Sequence, residues 1–275
     1  MNIPKKEVIQ LSENIRKIID GHNVDLRDNK EGKLSILKND IHTLAGRLTE
    51  QAETSELEKQ ALRQTLADIS HQIKTPLTSM SVMVDLLSDA PRDKQEEFIA
   101  NIKTSLVRTE WLVSALLKLA KLDSGAVIFS FEETKVQTLA KLALNPLQIL
   151  LDLKNQTVEV NTDISVFCDK RWTVEALTNI LKNASEYSPD KGKIIIEAGD
   201  NPICSWISVT DSGKGLTNRE ISKLFQRFEG SRSEHGIGIG LPLSLAIMHR
   251  QNGDIDAENA EKGGARFFLK FYKAT

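Results

Sequence analysis

The chain has 275 residues, 40% of them hydrophobic and 27% charged, an ordinary globular composition with room for two or more domains. Its formal net charge of -2 at pH 7 gives no general attraction to nucleic acid or to an anionic membrane. The two cysteines, Cys168 and Cys204, lie in strand-like apolar surroundings without metal-ligand spacing, so we expect reduced core residues of a cytosolic protein. Without a signal peptide or an uninterrupted apolar stretch of about 18 residues, the chain as given is expected to be soluble.

The first 50 residues are predicted to form a helix, a connector and a second helix. The first helix covers residues 4–19 and opens at Pro4, and the polar connector GHNVDLRDNKEG follows it. Apolar residues then recur at steps of three and four, and they are Leu34, Leu37, Ile41, Leu44 and Leu48. The polar stretch TEQAETSELEKQ contains no proline or glycine, so we expect the second helix to continue as a rod along which a signal can pass.

The stretch LADISHQIKTPLTSM, residues 66–80, places an outward histidine on this helix. The apolar positions again follow steps of three and four, and they are Leu66, Ile69, Ile73, Pro76, Met80, Met83 and Leu87. His71 lies off this stripe, where its imidazole faces solvent and is free to react. Pro76 removes one helical hydrogen bond and is expected to kink or loosen the turn that holds His71. A solvated histidine without a function is the alternative for this stretch taken alone.

After a turn signal around Pro91, a further helix returns with the same apolar spacing. Its apolar positions are Ile99, Ile102, Leu106, Thr109, Val113, Leu116 and Ala120. The resulting hairpin has an apolar seam too wide for one pair of helices to bury, so we expect two chains to join as a four-helix bundle. A coiled-coil spacer has the same spacing and is the alternative.

The periodicity changes from Val127 onward, and LDSG at residues 122–125 marks the boundary. Short β-like runs now alternate with amphipathic helices, and the runs are AVIFSF, TVEVN, KIIIEAG, SWISVT and ARFFLKF. Strands grouped with helices in this way predict an α/β sandwich, in which a helical layer covers a mixed sheet.

Two motifs in this part carry polar groups suited to a nucleotide. Asn179 and Asn183 in LTNILKNASEYS share one helix face, and amide oxygens suit a hard cation such as Mg²⁺ that takes its charge from nucleotide phosphates. In WISVTDSGKGL, the Asp211 carboxylate can accept from an exocyclic amino group, while Gly213 and Gly215 let the backbone approach a planar base. A solvated asparagine pair and an ordinary glycine turn are the alternatives.

Glycines alternate in GIGIGLPLSLAIMHR, at Gly236, Gly238 and Gly240, just before a helix that opens with Pro242. Backbone donors and a helix N-terminus converge there, where a phosphate would bind. The preceding LFQRFEGSRSEH is interpreted as a mobile lid. Its anchors would be Phe225 and Phe228, and its possible phosphate partners are Arg227 and Arg232. Arginines that are simply solvated are the alternative.

The order of these motifs closely resembles the sensor histidine kinases of two-component systems. His-x-x-x-x-Pro is followed by Asn-x-x-x-Asn, Asp-x-Gly-x-Gly, Phe-x-x-Phe and Gly-x-Gly-x-Gly, and the match covers roughly residues 60 to 272. The resemblance implies a multidomain chain. It would comprise HAMP-like signal-relay helices at 1–50, a dimerization and histidine phosphotransfer hairpin at 51–125, and a catalytic ATP-binding α/β sandwich of the GHKL, or Bergerat, type at 126–275.

The function implied by the resemblance is that of an ATP-dependent protein-histidine kinase. It would phosphorylate His71 within a homodimer and pass the phosphoryl group to an aspartate in the receiver domain of a response regulator, with a phosphatase activity left open. A HAMP module normally follows a transmembrane helix, so we expect this chain to be the cytoplasmic part of a sensor whose membrane anchor precedes it. No nucleic-acid partner is expected.

The resemblance also implies the residues of the site, with ATP and Mg²⁺ as cofactors. The catalytic residues would be His71, Gln72 and Thr75. Asn183 would hold the magnesium ion. The other nucleotide-binding residues would be Asn179, Tyr187, Asp211, Gly213, Gly215, Arg227, Gly236, Gly238, Gly240 and Leu241.

Three positions depart from the family pattern. Gln72 stands where an acidic residue is usual, so the usual base beside His71 is missing. Glu186 stands where a basic residue is usual, which calls one phosphate contact into question. The last glycine motif continues with Ala265 and Arg266, where threonine is usual.

Two other functions stay open. A GHKL-type ATPase clamp would activate water with a glutamate one helical turn before the metal asparagine, but this chain has Asn179 there, and an amide cannot act as that base. A catalytically inactive adaptor would bind nucleotide and a partner helix, and Gln72 keeps that alternative open.

Overall fold

The computed structural model describes residues 5–19, 22, 24–27, 33–88, 90–228, 238–261 and 263–273. The chain divides into two compact units, Met1–Ile69 and Ser70–Thr275. None of the described helices is both long and apolar enough to cross a membrane.

The first unit contains helix α1 (Lys5–Ile19) and the N-terminal part of helix α2 (Lys33–Leu86). Leu11 of α1 and Leu26 of the segment between the two helices are both buried. The predicted order of helix, connector and helix is therefore present, although Pro4 and most of the connector lie outside the described residues. Helix α2 runs without interruption through the polar stretch after residue 48, as the absence of helix breakers in that stretch predicts.

The second unit begins with a helical hairpin, made of α2 from residue 70 onward and α3 (Arg92–Asp123). In the turn between them, the side-chain amide of Gln95 donates to the carbonyls of Leu87 and Ala90, at 3.2 and 2.9 Å. Pro91 is the extended N-cap of α3, with φ -61° and ψ 154°. The turn signal around Pro91 thus marks the start of the returning helix.

Pro76 lies inside α2 without ending it. Proline has no N–H, so the Gln72 carbonyl, four residues earlier, lacks its usual helical donor. The helix nevertheless continues to Leu86. The kink or loosening expected at this turn stays a prediction.

Helix α3 carries two apolar stripes. The stripe predicted from the sequence remains largely exposed, since Ile99, Leu106 and Val113 keep between 42 and 49% of their accessible surface. A second stripe is buried, and it consists of Leu112, Ala115, Leu119 and Leu122. This second stripe belongs to the core of the α/β sandwich. The sequence did not separate the stripes because both follow steps of three and four.

The α/β sandwich follows the hairpin. Its helices are α4 (Val136–Leu144), α5 (Gln148–Leu153), α6 (Lys170–Tyr187), α7 (Asn218–Ile221) and α8 (Gly240–His249). Its strands are β1 (Phe131–Lys135), β2 (Thr157–Asn161), β3 (Ser165–Asp169), β4 (Lys193–Asp200), β5 (Cys204–Thr210), β6 (Gly253–Asn259) and β7 (Ala265–Tyr272). The main sheet has the order β2-β4-β5-β7-β6, with β2 parallel to β4 and the other neighbours antiparallel, while β1 and β3 form a separate antiparallel pair.

The core lies between the main sheet and helices α4, α6 and α8. It includes fully buried residues from both layers, among them Leu139, Leu177, Ile180, Ile196, Ile207, Leu243 and Leu269. The predicted helical layer over a mixed sheet is confirmed. Cys168 and Cys204 are both buried free thiols, as expected from the sequence, and burial raises the pKa of the Cys168 thiol.

The strand prediction was wrong in one segment and incomplete in two others. Residues 126–130 alternate in exposure like a strand, but pairing begins only at Phe131, whose partner Asp169 is the last residue of β3. Strand β3 was not predicted as a run, because SVFCD is short and lacks the regular alternation of apolar and polar residues that marks TVEVN. Strand β6 was not predicted because GDIDAEN is mostly polar, which an edge strand with one solvated face tolerates.

The buried stripe of α3 leads to a stability prediction. Leu122→Ala should lower the free energy of unfolding by about 2–5 kcal/mol, because it opens a cavity in the core. The matched control is Leu117→Ala, whose side chain on the same helix is 58% exposed, and it should change that free energy by no more than about 0.5 kcal/mol. Urea denaturation followed by tryptophan fluorescence measures both, and equal losses would contradict the described packing.

Candidate functional site

A cavity of about 280 Å³ lies in the second unit, bordered by α3, α6, the loop after β5, the start of α8 and the start of β7. Nine of the eleven residues predicted to bind the nucleotide line it: Asn179, Asn183, Tyr187, Asp211, Gly213, Gly215, Gly238, Gly240 and Leu241. Of the remaining two, Gly236 lies outside the described residues. Arg227 is not part of the lining, and its Nη2 lies 3.0 Å from Oδ2 of Asp123.

Helix α6 begins at the N-cap Asp169, whose side chain accepts from the backbone N–H of Trp172. One helical face carries Asn179, which is 6% exposed. The Asn179 amide donates to the Gly240 carbonyl and to Ser244 Oγ, both at 3.3 Å. Asn179 therefore joins α6 to the first turn of α8, a contact that needs an amide donor and that a carboxylate cannot make with a carbonyl.

Asp211 follows β5 and is 6% exposed. Its Oδ1 accepts from the backbone N–H groups of Gly213 and Ala265, at 2.8 and 3.0 Å. Burial raises the pKa of Asp211, while these two hydrogen bonds act in the opposite direction. Because both bonds fall on Oδ1, the carboxylate keeps Oδ2 to accept from a bound group.

The glycine pair before β7 lets that strand approach Asp211 closely. Gly264 has a φ of +89°, and a Cβ at this position would collide with the backbone carbonyl of Asp211. The residue that follows, Ala265, supplies a backbone donor to Asp211 and accepts from the Asp211 N–H at 2.9 Å. The alanine in place of the usual threonine thus leaves these main-chain contacts intact. Arg266 points elsewhere and donates to Thr210 Oγ1 at 2.9 Å.

Charged side chains of both signs line the cavity. Lys182 Nζ lies 3.8 Å from Glu186 Oε1 and 5.1 Å from the ring centroid of Trp111. Arg108 and Lys214 add two further cationic groups to the lining. The acidic residue at position 186 therefore has a lysine one helical turn before it, so this wall still presents positive charge.

The sequence did not identify the part of the cavity that α3 supplies. Its lining residues on α3 are Thr104, Val107, Arg108 and Trp111. Helix α3 is held against the sandwich by an ion pair of 2.6 Å between Lys118 and Glu175, and by the guanidinium of Arg250, whose Nε donates to the Leu122 carbonyl at 2.8 Å. No local motif marks these α3 positions, because only the packing of α3 against the sandwich brings them to the cavity.

The segment predicted as a lid is described only in part. Phe225 and Phe228 are partly buried against the core, as expected for anchors. The backbone N–H of Phe228 donates to the Gly238 carbonyl at 3.0 Å. Arg232 and the rest of residues 229–237 lie outside the described residues.

The three predicted catalytic residues lie on α2 and do not line the cavity. His71 is exposed, and Gln72 is partly buried. The Thr75 hydroxyl donates to the backbone carbonyl of His71 at 3.1 Å. The structure thus confirms the outward position of His71 and assigns Thr75 a contact with the main chain of the histidine.

Two family models match this chain. The His Kinase A (phospho-acceptor) domain matches residues 61–125, and the histidine kinase-, DNA gyrase B- and HSP90-like ATPase matches residues 168–275. The second match includes all the predicted nucleotide-binding residues, and the first includes His71.

Similar proteins support the same family. The chain is 26% identical over 258 residues to the signal transduction histidine-protein kinase BaeS of Escherichia coli (strain K12), covering 91% of this chain and 55% of that protein. It is 28% identical over 257 residues to the sensor histidine kinase WalK of Bacillus subtilis (strain 168), covering 87% of this chain and 42% of that protein. The chain therefore spans about half the length of these curated relatives.

Solved structures agree on the fold. The histidine kinase AdeS of Acinetobacter baumannii superposes with a TM-score of 0.61 at 20% identity, over 74% of this chain and 98% of that one. The histidine kinase ThkA, solved in complex with the response regulator protein TrrA, gives a TM-score of 0.66 at 22% identity, over 82% of this chain and 66% of that one. The order of the motifs and the cavity that they line agree with the two family models and the named relatives. Together they show that this chain belongs to the sensor histidine kinases of two-component systems.

Proposed function

We propose that this chain is an ATP-dependent protein-histidine kinase that phosphorylates its own His71 and then transfers the phosphoryl group to an aspartate of a response regulator. The observation that carries the proposal is the cavity, where nine of the predicted nucleotide-binding residues converge from separate parts of the chain. An exposed histidine on a helix of the same unit supplies the acceptor.

The cavity has groups suited to each part of ATP. The Oδ2 atom of Asp211 can accept from the exocyclic amino group of adenine, and apolar side chains such as Leu216, Leu241 and Phe267 line the same space for the ring. The N-terminal turn of α8, which begins at Gly240 and follows Gly238, offers backbone donors to the phosphates.

A magnesium ion fits this site only together with the nucleotide. Among the described residues, no group of three or more His, Cys, Asp or Glu side chains could hold a metal ion. Asn183 lines the cavity and could contribute one amide oxygen, with water and phosphate oxygens completing the shell. The ion would neutralise charge that develops on the transferring phosphoryl group.

The transfer to His71 needs positioning more than covalent assistance from the protein. A ring nitrogen of neutral His71 would attack the γ-phosphorus, the bond to the bridging oxygen would break with ADP as the leaving group, and the second ring nitrogen would release its proton to solvent water, which reaches the exposed side chain. The side-chain carbonyl of Gln72 can hold that N–H and so orient the ring, but an amide takes up no proton.

The partners follow from the exposed surfaces and the family. The exposed stripe on α3 suits a second copy of the chain, which would complete a four-helix bundle. The ThkA neighbour was solved with a response regulator protein, which supports a partner of that class here. A HAMP-like relay at residues 1–50 and a membrane anchor preceding this chain in the whole sensor remain part of the proposal.

An ATPase clamp that uses water is the less favoured function. Such an enzyme needs a base near the phosphates, and the residue at that place is Asn179. Its amide is already engaged with Gly240 and Ser244. The site therefore favours retention of ATP until a protein acceptor arrives.

Removing the acceptor should abolish phosphorylation. His71→Ala should lose all acid-labile, base-stable label from γ-labelled ATP while binding ATP normally, because its side chain does not line the cavity. The matched control is His249→Ala, another exposed histidine, which pairs with Asp254 and should leave labelling unchanged. Acid-labile label that persists in His71→Ala would show that another residue is the acceptor.

Two substitutions in the cavity should separate the recognition of adenine from that of magnesium. Asp211→Ala should raise the Kd for ATP at least about tenfold with or without magnesium, because it removes a buried hydrogen-bonding group. Asn183→Ala should weaken binding mainly when magnesium is present. Isothermal titration measures both, and Asp200→Ala, an exposed aspartate of β4, is the control. Parental affinities in both variants would place the nucleotide elsewhere.

The identity of residue 72 should limit the rate. Gln72→Glu should raise the autophosphorylation rate about tenfold. General acid-base catalysis typically raises a reaction rate by a factor of about 10² to 10⁴, and the amide of Gln72 already supplies part of that factor by orienting the ring. Single-turnover labelling at saturating ATP measures this rate. An unchanged or lower rate would mean that the site gains nothing from a base at this position.

A further inference from the structure

The C-terminal end of α6 is held by a polar cluster outside the nucleotide cavity. We define it as the α6-end cluster, made of Lys154, Gln156, Ser185, Ser188 and Ser212. Lys154 follows α5 and Gln156 precedes β2, so both come from a part of the chain that contains none of the predicted site residues. None of the five residues lines the cavity.

Lys154 caps the last turn of α6. Its ammonium donates to the carbonyls of Ser185, Glu186 and Ser188, at 2.7, 3.2 and 3.3 Å. The last carbonyls of a helix have no donor within the helix and carry the negative end of its dipole. The three donors of the lysine thus meet three acceptors, and its charge has the sign that this helix end favours.

Gln156 completes the cap from a buried position. It is 8% exposed, and its amide nitrogen lies 2.9 Å from the Ser185 carbonyl and 3.1 Å from each of the Ser188 and Pro189 carbonyls. Its Oε1 accepts from the Ser185 hydroxyl at 2.6 Å. Both atoms of the amide are therefore committed to the end of α6.

The cluster continues into the loop that carries Asp211. The Ser212 backbone N–H donates to Ser188 Oγ at 3.2 Å, and Ser212 Oγ accepts from the Lys193 N–H at 2.9 Å. The loop lies so close to the helix that a Cβ at Gly213 would stand 2.7 Å from the Tyr187 carbonyl. The end of α6 and the loop after β5 are thus fixed to each other behind the cavity.

We propose that Lys154 is a positioning residue for nucleotide binding, which acts through the α6-end cluster to set Asn183 and Tyr187 of α6 against Asp211. The inference rests on the proposed function, because it assumes that these three residues bind ATP. Without the ammonium, three carbonyls at a largely buried helix end lose a charged donor, and the last turn of α6 loosens where it borders the cavity.

The test compares Lys154→Met with Lys154→Arg in the full chain. Lys154→Met keeps the aliphatic stem and should raise the Kd and KM for ATP with magnesium about tenfold, the scale of one charge-assisted hydrogen bond. The labelling rate at saturating ATP should stay within about twofold, because His71 is on another element. Lys154→Arg, which restores charge and several donors, should recover most of the affinity.

The matched control is Lys273→Met. This lysine also donates a hydrogen bond from its ammonium, but to the carboxylate of Asp200, at 2.9 Å, and Asp200 is at the opposite end of β4 from the cluster. The control should leave the Kd unchanged. If Lys154→Met does not fold, Lys154→Gln, which loses the charge but keeps two donors, provides the same comparison.

Hydrogen exchange without nucleotide separates this inference from the proposed function. Amides in residues 183–188 should exchange faster in Lys154→Met than in the parent or in Lys273→Met. Faster exchange with an unchanged Kd would overturn the positioning role, and unchanged exchange would overturn the cap itself. A parent that binds no ATP would contradict the proposed function, whatever the exchange shows.

Discussion

The cavity that the predicted nucleotide-binding residues line depends on the buried carboxylate of Asp211. Its Oδ1 holds the glycine loop through Gly213 and the start of β7 through Ala265, so one oxygen atom joins two segments of the main chain. Burial works against ionisation of this carboxylate, and the two backbone donors partly offset that effect. The second oxygen, Oδ2, thereby stays available at the wall of the cavity, where it can accept a hydrogen bond from a ligand.

Helix α6 serves the core and the cavity at once. Ile180 and Leu181 are buried in the core, while Asn183 and Tyr187 line the cavity. Such a helix cannot shift without moving residues of the cavity wall, so its position must be fixed at more than one point. Asn179 supplies one such point by its bonds to the first turn of α8, and the cap at the C-terminal end supplies another.

Helix α3 has an equally divided role. One stripe is part of the sandwich core, another is exposed, and Trp111 and Arg108 line the cavity. His71 does not line the cavity, whereas the proposed in-line transfer would need the reacting atoms within about 3.5 Å of each other. The ion pair between Arg227 and Asp123 at this interface is partly exposed. Exposed ion pairs typically contribute about 1 kcal/mol or less to stability, so replacing this pair by other contacts costs little free energy.

The sequence by itself determined the features that depend on local pattern. The spacing of apolar residues predicted the continuous helix α2 and its return after Pro91, because helical periodicity is a property of neighbours in the chain. The order of the motifs identified nine residues of the cavity, since each motif carries its own chemistry at a fixed spacing. The same reasoning missed β6, because an edge strand with a solvated face needs no apolar run.

Only the tertiary structure decided which apolar stripe of α3 is buried and which residues meet across long distances in the chain. Both stripes have the same spacing, and the choice between them depends on the surface that the sandwich presents. At the cavity, Trp111 contacts Lys182, which is 71 positions later in the chain. At the end of α6, Lys154 contacts Ser185, which is 31 positions later. No local pattern specifies such contacts, because their free energy arises only when separate elements pack together.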